Sequence, residues 1–162
     1  MSDYLRDGFL ILKVGPAPTF ALKETLYALT AMERELLPTA VRSNLIETME
    51  SKILSHAANW QKYYRGDEEQ QRLLRVYSCS DRIRYYRRFP EVIVAIARLI
   101  TNLQQTEISE TLLSQYCPRQ YDDVRAGKLS NDPKESVIAN VRAVLSMYSN
   151  ACQNGCSNHG LG

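Results

Sequence analysis

The residue types best suited to chemistry gather near the start of the sequence, in Lys13-Val14-Gly15-Pro16-Ala17-Pro18-Thr19. Gly15 lets a backbone come close to a ligand, and Pro18 suits the opening of a helix. The first N–H groups of a helix have no partners within it and attract an anion. Lys13 adds charge and Thr19 a hydroxyl, so Lys13, Gly15 and Thr19 form a candidate phosphate or ligand loop. A plainer reading fits the same residues: Gly15-Pro16 turns the chain, and Lys13 is solvated at a strand end. Both readings stand on the residues alone.

Elsewhere the chemistry is sparse. The two histidines, His56 and His159, are far apart and neither belongs to an HExxH pair, so a catalytic zinc cannot be assembled from this chain by itself. A P-loop and a nucleophile elbow are both missing, so no catalytic residue is assigned. Cys152, Cys156 and His159 lie close together near the end, but a closed zinc site needs four ligands and this segment offers three; no metal site is assigned. Cys79 and Cys117 stand alone and read as small buried hydrophobes. Arg82, Arg84, Arg87 and Arg88 are the densest basic cluster. They read as solvated, ion-paired side chains rather than a phosphate patch, with Tyr85, Tyr86 and Phe89 as core.

The candidate loop needs elements to hold it. Phe9-Leu10-Ile11-Leu12, extended by Lys13 and Val14, reads as a strand apolar on both faces, as in a covered parallel sheet. Leu22, Leu26, Leu29, Met32 and Leu36 then recur at helical spacing, with Thr19 the expected N-cap and Lys23, Thr30 and Arg34 opposite the stripe. The rest is a succession of helices. Val41, Leu45, Ile46, Met49 and Ile53 make one stripe, ending near Ser55. Trp60, Tyr63 and Tyr64 form an aromatic anchor, and Asp67 caps DEEQQRLLRVY. Ser78 or Ser80 opens a helix through DRIRYYRR. Pro90 starts the strongest apolar stripe, Val92, Ile96, Leu99, Ile100 and Leu103, widened by Ile93 and Ala97; this helix is expected to be the most buried. Ser109 caps ETLLSQY, Pro118 starts PRQYDDVRA, and Asp132 caps a last stripe of Val137, Val141, Val144, Leu145 and Tyr148.

One strand has nothing in the remaining sequence to pair with, so the chain reads as part of a larger α/β arrangement or as donor of its strand to another polypeptide. At 162 residues it is one domain or part of one. Its 20 basic and 18 acidic residues are interspersed and leave a net charge of +2, which carries no signature of nucleic-acid binding. No apolar run approaches the roughly 20 residues that span a bilayer, and no secretion signal opens the sequence. The expectation is a cytoplasmic protein with no membrane and no nucleic-acid partner.

Three segments carry a family resemblance: ILKVGPAPTFALKETLYAL, HAANWQKYYRGDEEQQRLLRVYSCSDRIRYY and LLSQYCPRQYDDVRAGKLSNDPKESVIANVRAVLSMY. In that order they resemble the C-terminal part of the GatZ/KbaZ family, the non-catalytic subunit of class II D-tagatose-1,6-bisphosphate aldolase, whose older name is tagatose-6-phosphate kinase. The resemblance implies an α/β fold in which this chain is the C-terminal portion of a (β/α)8 TIM barrel plus a helical extension, mainly α by itself. It implies three parts: residues 1–37 as the last barrel strand, ligand loop and helix, 38–152 as the helical extension, and 153–162 as a tail. The implied role is accessory, in galactitol or N-acetylgalactosamine-type catabolism. The partner is the catalytic subunit, which carries the zinc, and this chain holds no cofactor. Self-association and a sugar phosphate at Lys13, Gly15 and Thr19 also follow from the resemblance. The family has most of a barrel ahead of Met1, so a fragment is expected, and Arg87-Arg88-Phe89-Pro90 departs from the family's pattern. Two other functions remain open: a tagatose-6-phosphate kinase, and a free-standing helical interaction module.

Overall fold

Proline, serine and aspartate at the helix starts divide the chain into seven α-helices among the described residues. The computed structural model describes residues 15–157, with side chains to residue 153. The expected strand Phe9–Val14, Lys13, Cys156 and His159 lie outside these, except that the backbone of Cys156 continues the last helix. The described residues contain no strand.

Helix α1 spans Ala17–Leu36. Its N-cap is Pro16, three residues ahead of the expected Thr19, because Pro18 fits the first turn, where no N–H is needed. Thr19 is therefore inside the helix and its hydroxyl donates to the Pro16 carbonyl at 2.9 Å. Leu26, Leu29 and Met32 are buried as the stripe requires, but so are Lys23, Thr25, Thr30 and Glu33. The polar side is covered as well as the apolar one. The Thr25 and Thr30 hydroxyls return to the carbonyls of Ala21 and Leu26 one turn back, which satisfies them without solvent.

A 3-10 turn, Thr39–Val41, leads into α2, Leu45–Ser55. Val41 is exposed in that turn rather than part of the stripe, while Leu45, Met49 and Ile53 are buried. Trp60 and Tyr64 anchor the following loop, Trp60 donating its indole N–H to Ile53 O at 2.7 Å. Tyr63 does not join them; it is half-exposed beneath the Arg82 guanidinium. Helix α3, Glu68–Tyr77, opens on the expected Asp67 with a full capping box to Gln70.

The segment after α3 is a 3-10 turn, Arg82–Tyr86, and not an α-helix. Ser78 ends α3, and Asp81 takes a left-handed backbone (φ 48°), which breaks helical continuity. Helix α4 is Pro90–Gln104 and starts at its proline. It is not the most buried element: Ile93, Val94 and Ala97 are exposed, because α1 and α2 cover only its Val92, Ala95, Leu99 and Leu103 side. Helices α5, Glu110–Tyr116, and α6, Pro118–Arg125, begin at the expected Ser109 and Pro118. Helix α7, Pro133–Ser157, begins where Asp132 accepts from the N–H groups of Lys134 and Glu135.

Helix α1 is the axis of the arrangement. It packs most extensively on α7 and also touches α2, α4 and α5. One continuous core runs from Leu26, Leu29 and Met32 through Met49, Ile53, Tyr86, Val92, Leu99 and Leu103 to Leu113 and Cys117. Burying such side chains contributes roughly 1.5–3 kcal/mol each relative to leaving them in water.

Candidate functional site

The N-terminal turns of α1 hold the described part of the candidate loop. Gly15 is exposed with open space around its Cα, Pro16 is exposed, and Thr19 is turned back on Pro16. Beside them lies a shallow apolar cleft of about 310 Å³ between Phe20 and Ala21 of α1 and Val144 and Tyr148 of α7. Gly15 and Thr19 therefore sit at one end of the helical body, and Lys13 lies outside the described residues.

Directly behind that end is a buried ionic cluster that spacing did not suggest. The Lys23 ammonium, 3% exposed as a residue, donates to Ser78 O at 3.1 Å and stands 3.8 Å from Asp81 Oδ1. Asp81 is fully buried and accepts from Arg87 Nη2 at 3.0 Å, while Arg87 Nη1 donates to Thr19 O at 3.1 Å. Burial holds the Lys23 ammonium below its ordinary pKa, and the attraction of Asp81 opposes this. Burial acts the same way on Arg87, again against Asp81. The cluster ties the first turns of α1 to the Arg82–Tyr86 turn. The expectation of solvated arginines fails at Arg87, because its carboxylate partner sits six residues back on a left-handed residue that brings it inward.

A second buried arginine braces the other side. Arg75 is 2% exposed, reaches Glu68 at 2.7 Å and lies 4.8 Å over the Trp60 ring. Glu33, 0% exposed, accepts from Ser43 N, Ser43 Oγ and Asn102 Nδ2 at 2.9, 2.6 and 2.7 Å, which joins α1 to the loop before α2 and to α4. These are positioning interactions; the Glu33 contacts lie inside the body, whereas Arg75 is buried but its partner Glu68 is exposed. The described residues contain no group of three His, Cys, Asp or Glu spaced to hold a metal, and Cys152 is the only described member of the terminal trio. Cys117 is buried as expected, whereas Cys79 is exposed beside the apolar cleft, since the turn after α3 carries it outward.

A larger apolar feature lies elsewhere on the surface. A groove of about 610 Å³ runs between α4 and α7 across α1, lined by Leu22, Leu26, Ile96, Ile100, Val137 and Ile138. It continues along α7 past Val141 to Leu145. Ile93 and Val94 flank it on α4 at 54% and 66% exposure, and Leu145 lines its extension on α7 at 48%. No helix among the described residues is long and apolar enough to cross a membrane.

The sequence profile of the GatZ_KbaZ-like family, described as D-tagatose-1,6-bisphosphate aldolase subunit GatZ/KbaZ-like, matches residues 1–153. The crystal structure of a probable tagatose 6-phosphate kinase from Sinorhizobium meliloti 1021 is similar in both sequence and fold. It is 44% identical, with a TM-score of 0.85 over 94% of this chain and 40% of that one. The present chain therefore spans well under half the length of that relative.

Proposed function

The chain belongs to the GatZ/KbaZ-like family of D-tagatose-1,6-bisphosphate aldolase subunits, and from that membership we propose that it is a non-catalytic accessory part of such an aldolase. It acts in cytoplasmic carbohydrate catabolism by ordering and stabilising the zinc-bearing catalytic subunit. In this reading residues 1–37 supply the last strand, rim loop and helix of a (β/α)8 barrel, and residues 38–152 are its helical extension. The zinc belongs to the partner, and Lys13, Gly15 and Thr19 form a rim loop suited to a sugar phosphate.

The observation that supports this best is the uncovered apolar ground of α4 and α7. Exposed patches of this kind mark surfaces that another body covers. Each helix that carries it is tied to α1 from behind, α4 through Asn102 on the buried Glu33 and α7 through Asn140 on Ala21 O and Thr25 Oγ1, as befits a surface that works by shape. The test is to mix the purified chain with a class II tagatose-bisphosphate aldolase catalytic subunit. Cleavage of D-tagatose 1,6-bisphosphate and the thermal half-life of the activity are then followed. The chain alone should not cleave, and it should co-elute with the catalytic subunit and prolong its activity. Absence of both co-elution and protection would overturn the reading.

The name of the 44% identical relative favours a second reading, a tagatose-6-phosphate kinase. Formation of ADP from ATP by the purified chain, dependent on D-tagatose 6-phosphate, would establish that one instead.

A further inference from the structure

On the loop after α2 and the 3-10 turn after α3, cations and aromatic rings alternate. The Lys62 ammonium stands 5.0 Å from the Tyr63 ring centroid, and the Arg82 guanidinium lies over the same ring at 3.1 Å. Along the turn, the Arg84 guanidinium lies 4.4 Å over the Tyr85 ring. Side chains three apart on a 3-10 turn share a face, so Arg82 and Tyr85 lie together and join the two stacks into one patch. The patch is open to solvent: Tyr63 is 49% exposed, Tyr85 39%, and Lys62 is exposed as well. Its arginines are fixed in place. Arg82 Nη1 donates to Asn59 O at 3.1 Å, and Arg84 Nη1 donates to Ser80 O and Asp81 O at 2.7 and 2.9 Å. Arg84 Nη2 donates to the Tyr85 hydroxyl at 2.8 Å.

No carboxylate answers this charge. Lys62, Arg82 and Arg84 form no ion pair among the described residues, against the expectation from the sequence that these arginines are ion-paired. The acidic groups nearest along the chain are committed elsewhere: Asp67 caps α3, Glu68 holds Arg75, and Asp81 is buried against Lys23 and Arg87. The Tyr63 phenol registers the resulting field, since Lys62 chiefly, with Arg82 adding to it, holds it below its ordinary pKa. A guanidinium laid flat on a ring keeps its N–H edges directed sideways, and such an edge matches a carboxylate in two parallel bonds. The freedom that two long side chains would lose on binding is already lost. A single-stranded nucleic acid would bring anions too, but it needs bare rings on which its bases stack, and both rings here already carry a cation. We propose that the patch of Lys62, Tyr63, Arg82, Arg84 and Tyr85 docks an acidic, glutamate- or aspartate-rich segment of a protein partner. This inference is independent of the aldolase reading, and its test uses no aldolase activity.

The probe is fluorescein-labelled octaglutamate, titrated with the full chain at low salt. Its anisotropy should rise saturably, and the affinity should fall several-fold when salt is raised to physiological strength. In the 15N-labelled chain the Arg82 and Arg84 Nε–H signals should shift on adding the peptide, while that of Arg119, an exposed cation on α6, stays in place. Arg82→Gln and Arg84→Gln should each weaken the peptide roughly fivefold. Tyr63→Leu keeps the charge but removes the ring under Arg82, and it should weaken the peptide roughly threefold. Arg119→Gln removes the same charge elsewhere and should change nothing. Four outcomes overturn the proposal: no saturable binding of octaglutamate; Arg119→Gln weakening it as much as Arg82→Gln, which leaves general attraction only; Tyr63→Leu binding like the wild type; or an oligothymidylate of equal length binding more tightly, which makes the patch a nucleic-acid surface.

Discussion

Asp81 is the residue on which the interior charge depends. It is the carboxylate that meets both Lys23 and Arg87, and all three sit behind the first turns of α1. Removing one member of a buried ion pair strands the others, at a cost of about 3–5 kcal/mol. Asp81→Ala should lower the urea unfolding free energy by about that much, whereas Glu47→Ala, which breaks an exposed pair with Arg34, should cost under about 1 kcal/mol. Cys117 gives a second residue-scale expectation. Burial, with a smaller push from Glu24, raises its thiol from an ordinary 9.0 to about 11. A folded-state pKa above the unfolded one means stabilisation present in full below pH 9.0 and lost as pH rises through about 11. The same protonation protects the thiol, since the thiolate is the nucleophile. Iodoacetamide at pH 8, read by peptide mass spectrometry, should label the exposed Cys79 rapidly and leave Cys117 unmodified until the chain unfolds.

At the scale of elements, the best-specified start is that of α3. Asp67 and Gln70 bond reciprocally, and Gly66 before them holds φ 119°, where a Cβ would stand 2.2 Å from Gln70 Oε1. Asp67→Ala should cost about 1 kcal/mol. Gly66→Ala should cost more, because it both strains the backbone and displaces the Gln70 arm of the same box; thermal melts of the two variants rank them. Starts of this kind were legible in the sequence, as Pro90, Ser109, Pro118 and Asp132 also show, since a cap is a local device within four residues of what it caps. The ionic cluster was not legible. Lys23 meets Ser78 across 55 residues, and nothing in the spacing of α1 distinguishes a lysine that will be buried from one left in water. Asp81 was overlooked for a related reason: its left-handed backbone turned an expected helix into a 3-10 turn and drew Arg87 inward. Of the candidate loop, Gly15 and Thr19 lie at the entry to α1, and the cap is three residues ahead of the expected Thr19, at Pro16. Both Pro16 and Pro18 are compatible with the start of a helix, so the pattern alone does not choose between them.

Taken whole, the molecule has an inner side specified by polar networks and an outer side left apolar. The strong stripe of α4 was read as wider than its partners make it, and Ile93, Val94 and Ala97 remain outside. In the accessory reading these residues are held for the catalytic subunit or the rest of a barrel. Ile93→Glu with Val94→Glu should then change unfolding free energy by no more than about 0.5 kcal/mol. It should also abolish protection of the catalytic subunit in the thermal half-life assay; protection at the wild-type level would move the contact elsewhere. The bonds from Asn140 to Ala21 and Thr25 span 119 and 115 residues, and they have a consequence in time as well as in space. A ribosome delivers α1 long before α7, so α1 must wait for the helices between them before its longest neighbour arrives. During that interval the side of α1 that carries Ala21 and Thr25 has no lasting cover of its own.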